Sequence, residues 1–169
     1  YMAMTPQSGV EFINRGVGGN RARDLAARWK EDCLDLNPDW VSILIGINDT
    51  WRRYDSDDPT DAEAFAADYR AVLEVTRNTL GARMILLEPF VLPVPEDRRS
   101  WRVDLDPKIQ AVRDLAREFN ALYIPLDGLF AAAATRREPA FWAADGVHPT
   151  QAGHAFIAHA WLRAVGAEF

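Results

Sequence analysis

The stretch Asp145-Gly146-Val147-His148-Pro149-Thr150, close to the C-terminus, sets a carboxylate three residues before an imidazole across a glycine. A turn at the glycine can curl the acid back onto one ring nitrogen. The other nitrogen then faces outward, free to take a proton from a hydroxyl. Two further stretches carry groups of complementary chemistry. Gly46-Ile47-Asn48-Asp49 follows the apolar, β-branched run Trp40 to Ile45, which is fit for a buried strand. An amide at the C-terminal end of a parallel strand stands where open α/β sheets place ligands, and the Asn48 NH2 suits a developing oxyanion. Upstream, Phe12-Ile13-Asn14-Arg15 leads into Gly16-Val17-Gly18-Gly19-Asn20, where glycines let backbone N–H groups face an anion unobstructed. Each stretch taken singly also reads as a plain turn, and Thr150 as a helix cap.

The elements that must hold these groups alternate strand and helix along the chain, the pattern of a parallel sheet covered on both faces. Strands are expected at Val10 to Asn14, Trp40 to Ile45, Met84 to Leu87 and Leu122 to Pro125. A helix after Asn20 places Leu25, Trp29, Cys33 and Leu36 at helical spacing and stops at Asn37-Pro38. Thr60-Asp61-Ala62-Glu63 is a capping box opening a helix with Phe65, Tyr69, Val72 and Leu73 on one face, closed by Gly81. Asp106-Pro107 starts the next, with Leu105, Ile109, Val112, Leu115 and Phe119 inward. Asp127 is placed to cap a short Ala-rich helix. Thr150 opens the last, with Phe156, Ile157, Ala160, Trp161 and Ala164 toward the core.

Together and in this order, the three chemical stretches resemble the SGNH hydrolases, also called the GDSL esterase/lipase family, over nearly the whole chain from about Ile13 onward. The resemblance implies an α/β fold: a three-layer α/β/α sandwich on a parallel, flavodoxin-like sheet of order 2-1-3-4-5. It implies Gly19 as a backbone oxyanion donor, Asn48 as a side-chain donor, His148 as general base and Asp145 as its orienting acid. It also implies a serine nucleophile in a Gly-Asp-Ser block at the end of the first strand. No Gly-Asp-Ser occurs. The four serines are Ser8, Ser42, Ser56 and Ser100: Ser8 precedes the strand leading to Gly19, Ser42 lies within a buried strand, and the others lie in charged loops. Tyr1-Met2-Ala3-Met4 resembles the tail of the helix that follows the missing block. The expectation is therefore a domain over residues 1–169 that lacks its first strand and its nucleophile. The strand at Val10 to Asn14 should then have lost its neighbour, leaving a gap or pairing directly with Trp40 to Ile45.

Gly46-Ile47-Asn48-Asp49-x-Trp51-Arg52 and Trp142-x-x-Asp145-Gly146-Val147-His148 are most similar to bacterial carbohydrate acetylesterases. The implied substrate is a small ester, an acetylated sugar among the candidates, with no cofactor. Lysophospholipase or thioesterase activity is the nearest alternative, and a non-catalytic ligand-binding or scaffold protein is the rival from another class. Trp51 and Trp142 flank the motifs and could wall a sugar or acyl site, or merely pack a loop.

Composition narrows the remaining classes. At 169 residues one core can bury most of the apolar surface, and 49% hydrophobic with 26% charged residues is ordinary for a globular domain. A net charge of −6 argues against a nucleic-acid partner, which needs clustered positive charge. No apolar run approaches the roughly 18 residues of a membrane span. The single Cys33 excludes an internal disulfide, gives no metal pattern and favours a cytoplasmic setting. His154 and His159, five apart on a helix, share no face, so no metal site is expected.

Overall fold

The computed structural model describes residues 9–166. Ser8 and the Tyr1–Met4 segment lie outside the described residues. Within them a parallel three-stranded sheet, β1 (Trp40–Leu44), β2 (Arg83–Leu87) and β3 (Leu122–Ile124), runs in the order β1-β2-β3. Trp40 pairs with Arg83 and Ile85 with Leu122, so each crossover returns the chain one strand further along the sheet. The helices are α1 (Ala22–Ala27), α2 (Trp29–Asp32), α3 (Ile47–Asp55), α4 (Ala62–Thr79), α5 (Arg102–Glu118), α6 (Leu126–Ala134), α7 (Pro139–Trp142) and α8 (Gln151–Ala164).

The side-chain alternation of β2 explains the three layers. Met84 and Leu86 face a core built with Phe65, Tyr69, Val72 and Leu73 of α4 and Val112 and Leu115 of α5. Ile85 and Leu87 face the opposite way, against Phe130 of α6 and the half-buried Phe156, Ile157 and Trp161 of α8. The Trp29 indole N–H donates to the Thr76 hydroxyl at 2.8 Å, fixing α2 on α4 inside the first layer.

The second layer stops short of β1. Val41 and Ile43 are buried toward the first core, whereas Trp40, Ser42 and Leu44 are exposed on the other face. Residues 10–14 form no strand, contrary to the expected strand at Val10 to Asn14. Val10, Phe12 and Ile13 there are about half exposed. Phe12 instead lays its ring edge-on to Trp161, whose indole N–H reaches the Ser42 hydroxyl at 3.1 Å.

Smaller departures have local causes. The helix after Asn20 is broken into α1 and α2 at Arg28 and ends in a 3-10 turn, Leu34–Leu36. Asp61 rather than Thr60 caps α4, accepting from the Ala64 N–H at 2.7 Å. Helix α5 begins a turn before Asp106, running on directly from a 3-10 segment, Glu96–Trp101, so Pro107 lies inside it. Asp127 does not cap α6: Arg102 holds its carboxylate at 2.6 and 2.9 Å, and its own N–H donates to Glu88. Thr150 does cap α8, accepting from the Gly153 N–H at 3.2 Å.

Candidate active site

The Asp145–His148 turn is fixed from both sides. Asp145 accepts the backbone N–H groups of Val147 at 3.1 Å and His148 at 2.8 Å through one oxygen, and meets His148 Nδ1 at 2.7 Å through the other. A Nδ1–H donating to that carboxylate leaves Nε2 as the lone-pair nitrogen, on a side chain that is 74% exposed. Burial raises the Asp145 carboxyl, but the His148 ring and the two backbone N–H groups outweigh it and hold it below the usual carboxylate range. The pair is therefore intact above that range and is lost as pH falls through the lowered value. Gly146, at φ +86, lets the chain pass against the loop after β2, where the Leu92 N–H donates to the Gly146 carbonyl at 2.8 Å.

The prospective oxyanion donors are assembled at the other wall. Gly46, at φ +122, leaves β1 and starts α3, and a side chain there would meet Phe65 and Pro89 at 3.1 Å. Asn48 in the first turn of α3 donates one amide hydrogen to the Asn20 carbonyl at 3.0 Å, which leaves the second uncommitted by that bond. Gly19, at φ +85, lies just before α1. Both Gly19 and Asn48 line a cavity of about 200 Å³ together with Trp51, Val147 and His148. Asp145 stands behind His148. Trp51 sets its ring 5.5 Å from the imidazole and 5.5 Å from Trp101. Trp142 is not in that lining. It packs on Phe141 and Phe156, part of the second core.

Asp49 is the residue sequence reasoning passed over, taking it as part of a turn. It is fully buried, and its carboxylate accepts the Ala22 N–H at 3.2 and 3.4 Å, so α3 grips the start of α1 just beyond the Gly-rich loop. Burial pushes its carboxyl from an ordinary 3.8 up to about 6, against the pull of the Ala22 N–H, Lys108 and Arg21. The folded state thus holds a proton that the unfolded chain has released between those two values. The contribution of Asp49 to stability declines as pH rises through that window and is constant above it. In Asp49→Asn this decline should vanish. Urea titrations from pH 4 to 7 should show wild-type stability, relative to the variant, falling up to about pH 6 and level beyond. A difference independent of pH would show that burial does not perturb this carboxyl.

The remaining predicted positions are plainly placed. Among the described residues no cluster of His, Cys, Asp or Glu could hold a metal ion, and no helix is long and apolar enough to cross a membrane. His154 and His159 are exposed on α8, and Cys33 is buried, its thiol pushed up to about 11 by burial. Ser42, Ser56 and Ser100 bond to Trp161, Asp55 and the Asp97 carbonyl, and none lines the cavity.

The chain is similar over most of its length to known proteins. The sequence profile of the GDSL-like lipase/acylhydrolase family matches residues 2–156. An acetylxylan esterase of Geobacillus stearothermophilus is 37% identical over 99% of this chain and 77% of its own length. Its crystal structure superposes with a TM-score of 0.89 at 36% identity, covering 99% of this chain and 77% of that one. A structure from Parabacteroides merdae described as a GDSL-like lipase gives a TM-score of 0.93 at 32% identity, covering 99% and 78%. The chain belongs to the GDSL-like lipase/acylhydrolase family of ester hydrolases.

Proposed function

We propose that the site is the base and oxyanion half of a serine esterase that removes acetyl groups from sugars. The observation that carries this reading is the convergence of Gly19, Asn48 and the Asp145-backed His148 on one cavity. In this reading a serine hydroxyl attacks the ester carbonyl while His148 Nε2 takes its proton. Asp145 stabilises the imidazolium so formed. The tetrahedral oxyanion accepts hydrogen bonds from the Gly19 N–H and the Asn48 amide, His148 returns the proton to the departing sugar hydroxyl, and water repeats the cycle on the acyl-enzyme. Support comes from the Geobacillus esterase, whose catalytic mutants replace a serine, a histidine and an aspartate, the last two three residues apart as Asp145 and His148 are. None of Ser8, Ser42, Ser56 and Ser100 is the nucleophile in this reading. Trp51 is a wall of the cavity beside the base.

The reading is tested by p-nitrophenyl acetate hydrolysis. The 169-residue chain should turn over no faster than His148→Ala, because a base and two donors can bind an ester but have no nucleophile to deliver. A version preceded by a strand ending in Gly-Asp-Ser should show a burst of acylation that His148→Ala abolishes. Brisk His148-dependent turnover by the chain alone would implicate one of its own serines. A serine-bearing version with no burst would favour the non-catalytic reading.

A further inference from the structure

Arg98 belongs to the 3-10 segment Glu96–Trp101, beside the cavity rather than in it. Its guanidinium carbon lies 3.8 Å from the centroid of Trp101 and 4.6 Å from that of Trp51, the ring that also faces His148. One indole therefore separates this charge from the base. Among the described residues the other arginines that are at least partly buried, Arg21, Arg28, Arg52, Arg70 and Arg102, each have a carboxylate at ion-pair distance. Arg98 has none, and its Nε is buried without a hydrogen-bond partner. The acids around it are otherwise engaged or out of reach. Glu96 is held by Arg99, Asp104 by Lys108 and Arg53, and Asp97 lies beyond ion-pair distance of Arg98.

A guanidinium stacked on indoles has its plane fixed by the rings, while the edge formed by its two terminal NH2 groups, away from the buried Nε, can meet a planar, two-oxygen acceptor. Carboxylate matches that edge in a bidentate manner. With the rest of the molecule carrying net negative charge, an anion would be recognised here by contact and not drawn in from a distance. We propose that Arg98 is a specificity-determining residue that binds a carboxylate on the sugar next to the acylated one, so that the site prefers acidic acylated oligosaccharides to neutral ones. This rests on the acyl-sugar reading of the cavity.

The test is equilibrium binding to the 169-residue chain, followed by calorimetry and by tryptophan fluorescence, to which Trp51 and Trp101 both contribute. The probes are an acetylated xylotriose and the same trisaccharide bearing a uronic acid on the sugar adjacent to the acetylated one. The acidic probe should bind about tenfold more tightly, which is about 1.4 kcal/mol, with the advantage shrinking as salt is raised. Arg98→Gln should erase the advantage while changing the neutral probe less than twofold, and Arg98→Lys should recover part of it. Equal affinity for the two probes in the wild type would overturn the assignment. So would an equal fall for both in Arg98→Gln, which would mean that Arg98 only props Trp51. If neither probe binds, the acyl-sugar reading itself fails and takes this inference with it.

Discussion

Gly146→Ala should be among the most damaging single substitutions in the molecule, removing roughly 3–5 kcal/mol of stability. Its Cβ would stand 2.4 Å from the Leu92 carbonyl oxygen and 2.6 Å from that of Val94, both backbone atoms that no rotamer change can move. The φ of +86 adds the strain of a left-handed conformation, about 1–2 kcal/mol for a residue with a Cβ. The turn can relieve the clash only by lifting off the loop after β2, which breaks the Leu92–Gly146 hydrogen bond and takes the Asp145–His148 pair with it. The urea midpoint should fall sharply, and the downfield proton of the His148 Nδ1–H should disappear from the NMR spectrum even where the fold survives. Gly128→Ala is the internal comparison. That glycine lies in α6 with open space where a Cβ would go, so alanine should stabilise by about 0.5–1 kcal/mol. Equal effects at the two positions would refute the steric argument.

Lys108→Met should cost about 3–5 kcal/mol. Lys108 is fully buried on α5, its ammonium 2.5 Å from the Asp104 carboxylate, with the buried Asp49 carboxyl among the groups that feel its charge. A methionine fills the same space but leaves two carboxyls in the interior with less positive charge to face them. Arg53, 3.3 Å from the other Asp104 oxygen, softens the loss toward the lower end of that range. The double variant Lys108→Met/Asp104→Leu should recover most of the stability, because a missing pair is tolerated far better inside a protein than a widowed charge. Should the single variant unfold at the wild-type urea concentration, the pair is not buried in the way described.

How much of this could be read from the residues depended on whether the signal was local. The strands β1, β2 and β3 declared themselves as apolar runs ended by glycine or proline, and α4 and α8 by a cap followed by a periodic face. The Asp145–His148 bond lies within four consecutive residues, so turn chemistry sufficed to anticipate it. Helix α3 was read only as a turn and the charged segment after it. Its sequence, Ile47 to Asp55, is mostly polar, and what makes it a helix is its setting against the Gly-rich loop and α5. The burial of Asp49 and Lys108 was hidden for the same reason, since a charged residue carries no mark of the partners that will enclose it. Val10 to Asn14 failed in the opposite direction. Its composition suits a strand, but a strand exists only where another backbone accepts its hydrogen bonds. Trp142 was drawn toward the site by its nearness in sequence to Asp145, whereas the short helix α7 turns it into the core beneath.

The groups proposed to handle the proton and those proposed to face the anion are moored to different parts of the chain. Asp145 and His148 hang from a turn clasped by the loop after β2, while Gly19 and Asn48 are tied to each other's elements through Asn20, Ala22 and Asp49. Each half is therefore a module with its own fastening, and the two meet where Ile47 and Trp51 of α3 pack against Val147 and His148. A change that loosens one fastening shifts the register between base and donors without dismantling either. Divergence in this fold can accordingly adjust the spacing between halves to fit a new ester while both sets of chemical groups stay intact, and the clasping segments, rather than the chemical groups, are where that adjustment would be written.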